Sequence, residues 1–256
     1  MHTDRLWLAQ LSRRGWAWEF LRRNPEYRAM YGTGDARAPT SWGLLHFADP
    51  SLSALNADVF WRPDDCVDVL PMRLCRDPSL ATGVALDLER LSCRIAVASE
   101  ASVQRRDILL SEEGRFLQLA IFGDGDLNGT TLMVAALGEP NTVMARTASL
   151  RRLNDLLFNK TMRKVLYPYE SRAARLITVL SALDGWLAQM PQREIAATMF
   201  SKARVEREWN DPRENLRDQV RRAIGYGQDL MNGGYRQFLR LTFARRIAAR
   251  QGAPRA

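Results

Sequence analysis

Residues 211–230, Asp-Pro-Arg-Glu-Asn-Leu-Arg-Asp-Gln-Val-Arg-Arg-Ala-Ile-Gly-Tyr-Gly-Gln-Asp-Leu, carry the strongest helix signal in the chain. Asp211 is a favourable N-cap, Pro212 fits the first helical position, and Glu214 follows the cap by three residues. Apolar residues then recur at helical spacing, which predicts one buried stripe: Leu216, Val220, Ile224 and Leu230. The sequence Asn232-Gly233-Gly234 predicts the end of this helix.

The residues on either side of this segment also predict helices. Ser149 to Val165 is amphipathic, and Ser171 opens a helix whose apolar face repeats cleanly: Leu176, Leu180, Leu183 and Leu187. Pro191 begins a short third helix, and Tyr235 to Ala249 is predicted as a last one. Residues 146–256 are therefore predicted to form an all-α domain.

The order of these helices is that of a helix-turn-helix: a long helix, a short helix from Pro191, a connector, and an arginine-bearing helix. At about 100° per residue, Arg221 and Arg222 lie opposite the apolar stripe. The connector from Ser201 to Asn210 is longer than the usual three or four residues. Two interpretations therefore stay open, a helix-turn-helix and a helical bundle with a solvated basic face.

In a helix-turn-helix, the first turns of the second helix reach base edges, and the flanking residues hold phosphates. On that interpretation the predicted DNA-binding residues are Arg193, Lys202, Arg204, Arg207, Arg213, Arg217, Arg221 and Arg222.

The first part of the chain differs from the C-terminal region in composition and in its predicted elements. Residues 1–83 are rich in tryptophan and interrupted by prolines, and Gly15 to Pro25 predicts a short helix that breaks at the Asn-Pro step. Residues 84–145 predict a small antiparallel sheet, in which Glu112-Glu113-Gly114 is a hairpin loop. The predicted fold class is α+β, with three regions at 1–83, 84–145 and 146–256.

Charge is distributed unevenly along the chain. Residues 1–150 carry 16 Lys and Arg against 19 Asp and Glu, whereas residues 151–256 carry 21 against 10. The two balances are −3 and +11 within a net charge of +8. A basic C-terminal region indicates either a polyanionic partner or a solvated arginine-rich surface.

Several classes of protein are disfavoured by composition. Two histidines argue against most zinc enzymes and Ser-His hydrolases, and three cysteines without C-x-x-C spacing argue against a disulfide framework and a zinc knuckle. The loop bearing Asp124, Asp126 and Asn128 resembles half of an EF-hand but has Ala135 at the twelfth position. No export signal or membrane span is predicted. We expect a cytoplasmic protein associated with the nucleoid that is not an enzyme and needs no metal or cofactor.

Two groups of residues carry a resemblance to a known family. The N-terminal group is Trp16-x-Trp18-Glu19-Phe20-Leu21-Arg22-Arg23-Asn24-Pro25-x-Tyr27, then Trp42-Gly43-Leu44 and Phe60-Trp61-Arg62-Pro63. The C-terminal group is Arg193-Glu194-Ile195-Ala196, Trp209, Arg221-Arg222 and Gly233-Gly234-Tyr235-Arg236. Together they resemble the two-domain proteobacterial activators of excision of integrative and conjugative elements, whose type member is the rhizobial frameshifted activator.

The resemblance implies a specific organisation. The C-terminal domain would be an extended-turn helix-turn-helix that binds promoter DNA with one face and docks on the N-terminal domain with the other. The protein would activate a gene that promotes excision and transfer of the element. Residues for interdomain or partner contacts would be Trp16, Trp18, Phe20, Tyr27, Trp42 and Trp61.

Promoter DNA is the predicted partner, with RNA polymerase and an acidic single-domain antiactivator as further candidates. The alternative function is a protein-binding adaptor or antiactivator that sequesters a related regulator without contacting DNA. The geometry of charge separates the two: a broad basic face favours DNA, and arginines paired with Glu206, Glu208 and Asp218 favour the adaptor.

Overall fold

A computed structural model describes residues 3–33, 38–75, 87–100, 104–123, 131–134, 140–209, 211 and 216–240. In these ranges the α-helices are α1 (Arg13–Leu21), α2 (Pro25–Thr33), α3 (Pro140–Asn159), α4 (Ala173–Leu187), α5 (Gln192–Met199), α6 (Lys202–Glu208) and α7 (Leu216–Met231). The strands are β1 (Leu70–Cys75), β2 (Arg94–Glu100), β3 (Arg105–Glu112), β4 (Arg115–Phe122) and β5 (Thr131–Val134). None of the helices described combines the length and the apolar character that a membrane crossing requires.

The predicted break between the first two helices is confirmed. Helix α1 ends at Leu21, and α2 begins at Pro25. The Asn24 side chain caps α2, because its Oδ1 accepts hydrogen bonds from the backbone N–H of Glu26 at 2.8 Å and of Tyr27 at 3.0 Å.

The five strands form one sheet in the order β2-β3-β4-β1-β5. The predicted hairpin is present between β3 and β4, and its loop residues Glu113 and Gly114 have φ values of 47° and 78°. The antiparallel pairing predicted within residues 84–145 is present between β2 and β3 and between β3 and β4, but the sheet also contains β1, which pairs in parallel with β4. Strand β1 is short, contains Pro71, and lies in the region that was predicted to be tryptophan-rich rather than β.

The C-terminal region is helical, with some shifted boundaries. Helix α3 begins at Pro140 and ends at Asn159, whereas the prediction ran from Ser149 to Val165. Helices α4, α5 and α7 lie where they were predicted, and Gly233, with φ of 118°, follows the end of α7. In place of the start of the predicted last helix there is a 3-10 helix, Gly234–Phe238. The rest of that prediction, the cap over residues 212–215 and the loop over residues 124–129 lie outside the described residues.

The hydrophobic core joins the two ends of the chain. One buried cluster combines N-terminal side chains such as Trp16 and Phe20 with Leu176, Leu180 and Phe238 from the C-terminal region. A second cluster lies between the sheet and α3, and a third holds α4, α5, α6 and α7 together. The C-terminal helices are therefore packed on one side by the N-terminal region, which leaves their other side to solvent.

Candidate nucleic-acid interface

Helices α5, α6 and α7 surround a small apolar core with one side of α4. Its buried members are Ala182, Ile195, Ala196, Val205, Leu216, Val220 and Ile224. The segment predicted as the connector, Ser201 to Asn210, contains helix α6, and Ser201 caps this helix by accepting the N–H of Arg204 on its Oγ at 3.3 Å. The long connector between α5 and α7 thus contains a short helix, which packs on the apolar core through Val205.

Helix α7 presents arginines to solvent on the side opposite its buried stripe. Arg217, Arg221 and Arg222 are exposed, whereas Val220 and Ile224 are buried. The predicted separation of charged and apolar faces is therefore present. This face can offer planar guanidinium groups to phosphates, which they bind through two parallel hydrogen bonds.

Two of the predicted basic residues are held by one carboxylate. Glu208 accepts hydrogen bonds from Arg204 Nε at 2.6 Å and from Arg207 at 2.7 Å, and these bonds lower the pKa of Glu208. Arg204 is half-buried and lies 4.9 Å from the ring centroid of Phe200, so it also packs within the domain. Arg207 is 72 % exposed and can exchange its contact with Glu208 for one with a ligand, because solvent screens an exposed ion pair.

The arginines of α7 have neighbours of their own. Arg221 donates to Asp218 three residues earlier, and this hydrogen bond lowers the pKa of Asp218. Arg217 donates to the backbone oxygen of Trp209 at 3.1 Å and lies 5.4 Å from the centroid of the Trp209 ring. Both guanidinium groups are on the surface, so phosphates can replace or supplement these contacts.

Arg193 on α5 and Lys202 on α6 are exposed as well. Of the eight predicted DNA-binding residues, seven lie on α5, α6 and α7, and Arg213 lies outside the described residues. Whether these side chains contact DNA stays a prediction.

Arg175 was not among the predicted residues. It lies on α4, and with Arg222 it lines a groove of about 280 Å³ whose walls include Phe200 and Tyr226. The Arg175 guanidinium is 5.3 Å from the Tyr226 ring centroid. The sequence could have predicted that Arg175 is exposed, because it lies next to the apolar stripe of Leu176. Its proximity to Arg222 could not be predicted, because it depends on the packing of α4 against α7.

The aromatic residues predicted for interdomain or partner contacts lie within the chain's own core. Five are buried and Trp42 is partly buried; the buried ones are Trp16, Trp18, Phe20, Tyr27 and Trp61. Phe20 stacks on Phe238 with ring centroids 6.1 Å apart, and the Tyr235 hydroxyl donates to the Trp42 backbone oxygen at 2.9 Å. Their contacts with residues 235–238 connect the N-terminal region to the C-terminal helices.

Polar contacts strengthen the same junction. Arg23 on α1's C-terminal side donates to Asp184 of α4 at 2.5 Å and to Glu19 at 2.7 Å. Arg13 donates to the backbone oxygen of Arg240 at 2.7 Å. The N-terminal region therefore covers the side of α4 and α7 that faces away from the exposed arginines.

Among the described residues, no group of three or more His, Cys, Asp or Glu side chains is arranged to hold a metal ion. The candidate loop with Asp124, Asp126 and Asn128 lies outside the described residues, so the prediction about that loop is untested.

Comparison with known families finds one match at each end of the chain. Residues 134–240 match the family described as "T6SS, Transcription factor, DNA binding domain", and residues 3–47 match the "Proteobacterial transcriptional regulator-like domain". The first match spans α3 to α7, and the second spans α1 and α2. No curated protein and no solved structure matches the chain. The two domain matches indicate a DNA-binding transcriptional regulator of the proteobacterial type.

Proposed function

We propose that the protein activates transcription by binding promoter DNA through the exposed arginines of α7. The observation that carries this proposal is the position of Arg217, Arg221 and Arg222 on one solvent-facing side of a helix, within a segment that matches a DNA-binding domain. In this arrangement α5 and α7 act as the two helices of an extended-turn helix-turn-helix, and α6 occupies the turn.

Each element has a part in this proposal. The first turns of α7 enter the major groove, and Arg193, Lys202 and Arg207 bind phosphates on either side. Arg204 positions α6 through Glu208 rather than contacting DNA. Arg175 extends the phosphate contacts along the groove that it shares with Arg222.

The proposed cellular role follows the resemblance of both ends of the chain to excision activators of conjugative elements. A match of residues 3–47 to a proteobacterial regulator-like domain supports a bacterial transcription regulator, and on this proposal it works in the cytoplasm at the nucleoid, where promoter DNA lies. On this proposal the protein has no catalytic activity, RNA polymerase is a partner at the promoter, and an acidic single-domain protein acts as an antiactivator.

The first experiment is a selection of genomic DNA fragments with purified full-length protein, followed by a salt titration on the best fragment. We expect one promoter fragment to be recovered. The Arg221→Ala, Arg222→Ala double variant should lower the slope of log affinity against log salt by about two, one for each lost phosphate contact.

The matched control is Arg28→Ala, Arg90→Ala, which removes the same charge elsewhere. Arg90 is exposed and pairs with Asp87 three residues earlier, as Arg221 pairs with Asp218. This control should keep the wild-type slope. Equal slopes for both double variants and the wild type would show that α7 does not bind phosphates, and uniform weak recovery of all fragments would argue against a sequence-specific regulator.

A protein-binding adaptor is the second candidate, and the internal pairing of arginines favours it. Arg204 and Arg207 bind Glu208, and Arg221 binds Asp218. An adaptor would yield protein but no DNA when the protein is crosslinked in cells and purified. Recovery of DNA that depends on Arg221 and Arg222 would exclude it.

A further inference from the structure

Gly225 is half-buried and lies in the middle of α7, on the side of the helix that carries Arg221 and Arg222. It follows Arg221 by one turn and Arg222 by three residues, so the two arginines flank it on the helix surface. Side chains on a helix lean towards the preceding turn, so any side chain at position 225 would lie over these two arginines. Glycine leaves that space open.

Among the described residues, nothing gives a packing reason for a glycine at this position. A Cβ added at Gly185 would be 2.8 Å from Ile195 Cγ1, and one added at Gly227 would be 3.0 Å from Leu183 Cβ. A Cβ added at Gly225 would have no described atom within 4 Å. The backbone at Gly225 is right-handed helical, so this position does not need glycine to adopt a positive φ either.

Glycine in the interior of an exposed helix is unfavourable, and alanine is the residue that a helix prefers. A residue that weakens the helix and fills no tight contact in the chain is one through which another molecule can approach the backbone closely. The flanking guanidinium groups indicate that this molecule is anionic.

We propose that Gly225 is the point of closest approach between α7 and the sugar–phosphate backbone of DNA. This inference rests on the proposed function. A backbone segment seated over Gly225 lies between Arg221 and Arg222, so each arginine can bind a phosphate on its own side. Exposed Asp229, one turn further along α7, limits the contact there because its carboxylate repels phosphates.

The test is Gly225→Ala in the full-length protein. Its affinity is measured for the promoter fragment recovered by selection, and for a mixed-sequence duplex of about three helical turns. We expect Tm to rise by about 2–4 °C, because alanine favours the helix. We expect Kd for both DNAs to rise about ten-fold or more, because a methyl group obstructs the close contact.

The matched control is Gly32→Ala. Gly32 lies near the end of α2, is exposed, and would also have no atom within 4 Å of an added Cβ. This variant should bind DNA as the wild type does. Equal weakening by both glycine variants would overturn the inference, since the loss would then not depend on the position of the added methyl group.

The outcomes separate this inference from the proposed function. If Gly225→Ala binds normally while Arg221→Ala, Arg222→Ala binds weakly, the close approach is wrong and the DNA-binding face stands. If neither variant weakens binding, the proposed face fails and the inference fails with it.

Discussion

Arg23 connects two carboxylates that come from different regions of the fold. It donates to Glu19, which is fully buried, and to Asp184, which is 161 positions further along the chain. Burial alone would lower the pKa of Arg23, but the hydrogen bond that Arg23 donates to Asp184 and the negative charges of Asp184 and Glu19 raise it. The charged form of Arg23 is thus favoured at the junction between the N-terminal region and α4.

Arg23→Ala should lower the free energy of unfolding by about 3 kcal/mol, because it removes a buried partner of two carboxylates. Urea unfolding at neutral pH measures this change. The control is Arg5→Ala, whose ion pair with Asp184 is more exposed and should contribute about 1 kcal/mol or less. Similar losses in the two variants would show that the burial of Arg23 does not matter to stability.

Tyr235, at the junction of the N-terminal region and the C-terminal helices, makes the stability of the fold depend on pH. Burial raises the pKa of Tyr235 to about 12. In the unfolded chain a tyrosine loses its proton near pH 10, so the folded state binds more protons between about pH 10 and 12. Stability supplied by Tyr235 is therefore complete below pH 10 and is lost as the pH rises through that range.

Tyr235→Phe should make the decline of stability between about pH 10 and 12 shallower than in the wild type. At neutral pH it should cost about 1 kcal/mol, because the Trp42 carbonyl loses its donor. Urea unfolding at a series of pH values measures the loss of stability at neutral pH and the slope of its decline at alkaline pH. A titration monitored by tyrosinate absorbance measures the pKa itself. An unchanged alkaline slope would mean that the Tyr235 hydroxyl titrates as an exposed phenol does.

At the scale of elements, the contact between α4 and α5 depends on the absence of a side chain. Gly185 of α4 lets Ile195 of α5 approach closely, since an added Cβ would be 2.8 Å from Ile195 Cγ1. Asp184, whose carboxylate accepts a hydrogen bond from Arg23, is the residue before Gly185 in α4. The same helical turn thus contacts the N-terminal region and α5, the first helix of the proposed helix-turn-helix.

Gly185→Ala should destabilise the protein by about 1–2 kcal/mol, because overpacking exceeds the gain in helix propensity. Ile195→Ala provides the control, since it removes the atom that the new methyl group meets. In a double-mutant cycle, Gly185→Ala should cost less in the Ile195→Ala background than in the wild type. Additive effects would show that the two residues do not crowd each other.

Elements with strong local signals could be predicted from the sequence. The Asn24-Pro25 step, the Gly114 hairpin and the stripe of α7 each follow from local sterics or periodicity. Strand β1 could not, because its parallel partner β4 is distant in sequence and nothing local marks the pairing. The sequence analysis did not predict α6, although Ser201 is a favourable N-cap. Most residues of α6 are charged, and its one buried residue, Val205, gives no apolar periodicity.

The candidate site was predictable to a similar degree. Helical periodicity placed Arg221 and Arg222 opposite the buried face, where the structure has them exposed. It could not show that Glu208 holds Arg204, or that Trp209 lies against Arg217, since these contacts depend on the fold of α6. The groove between Arg175 and Arg222 likewise needs the packing of α4 on α7.

For the whole molecule, the shared core means that neither end buries its apolar surface alone. Phe20 and Phe238 stack with their planes 4° apart, and Trp61 lies 6.1 Å from Tyr235. Separation of the two ends would expose these rings together with the leucines of α4 that pack in the same cluster. Contiguous apolar surfaces of that kind bind other proteins or cause aggregation.

Residues 1–139 and 140–256, which leave α3 intact, should therefore each be poorly soluble and bind a hydrophobic dye when they are produced as separate chains. When coexpressed, they should associate one to one and unfold in a single transition, because the aromatic and ionic contacts re-form between chains. Arg23→Ala in the first chain should weaken this association, whereas Arg28→Ala, an exposed change on α2, should not. Two separately soluble, monomeric fragments that fail to associate would contradict the shared core and would make the ends independent domains.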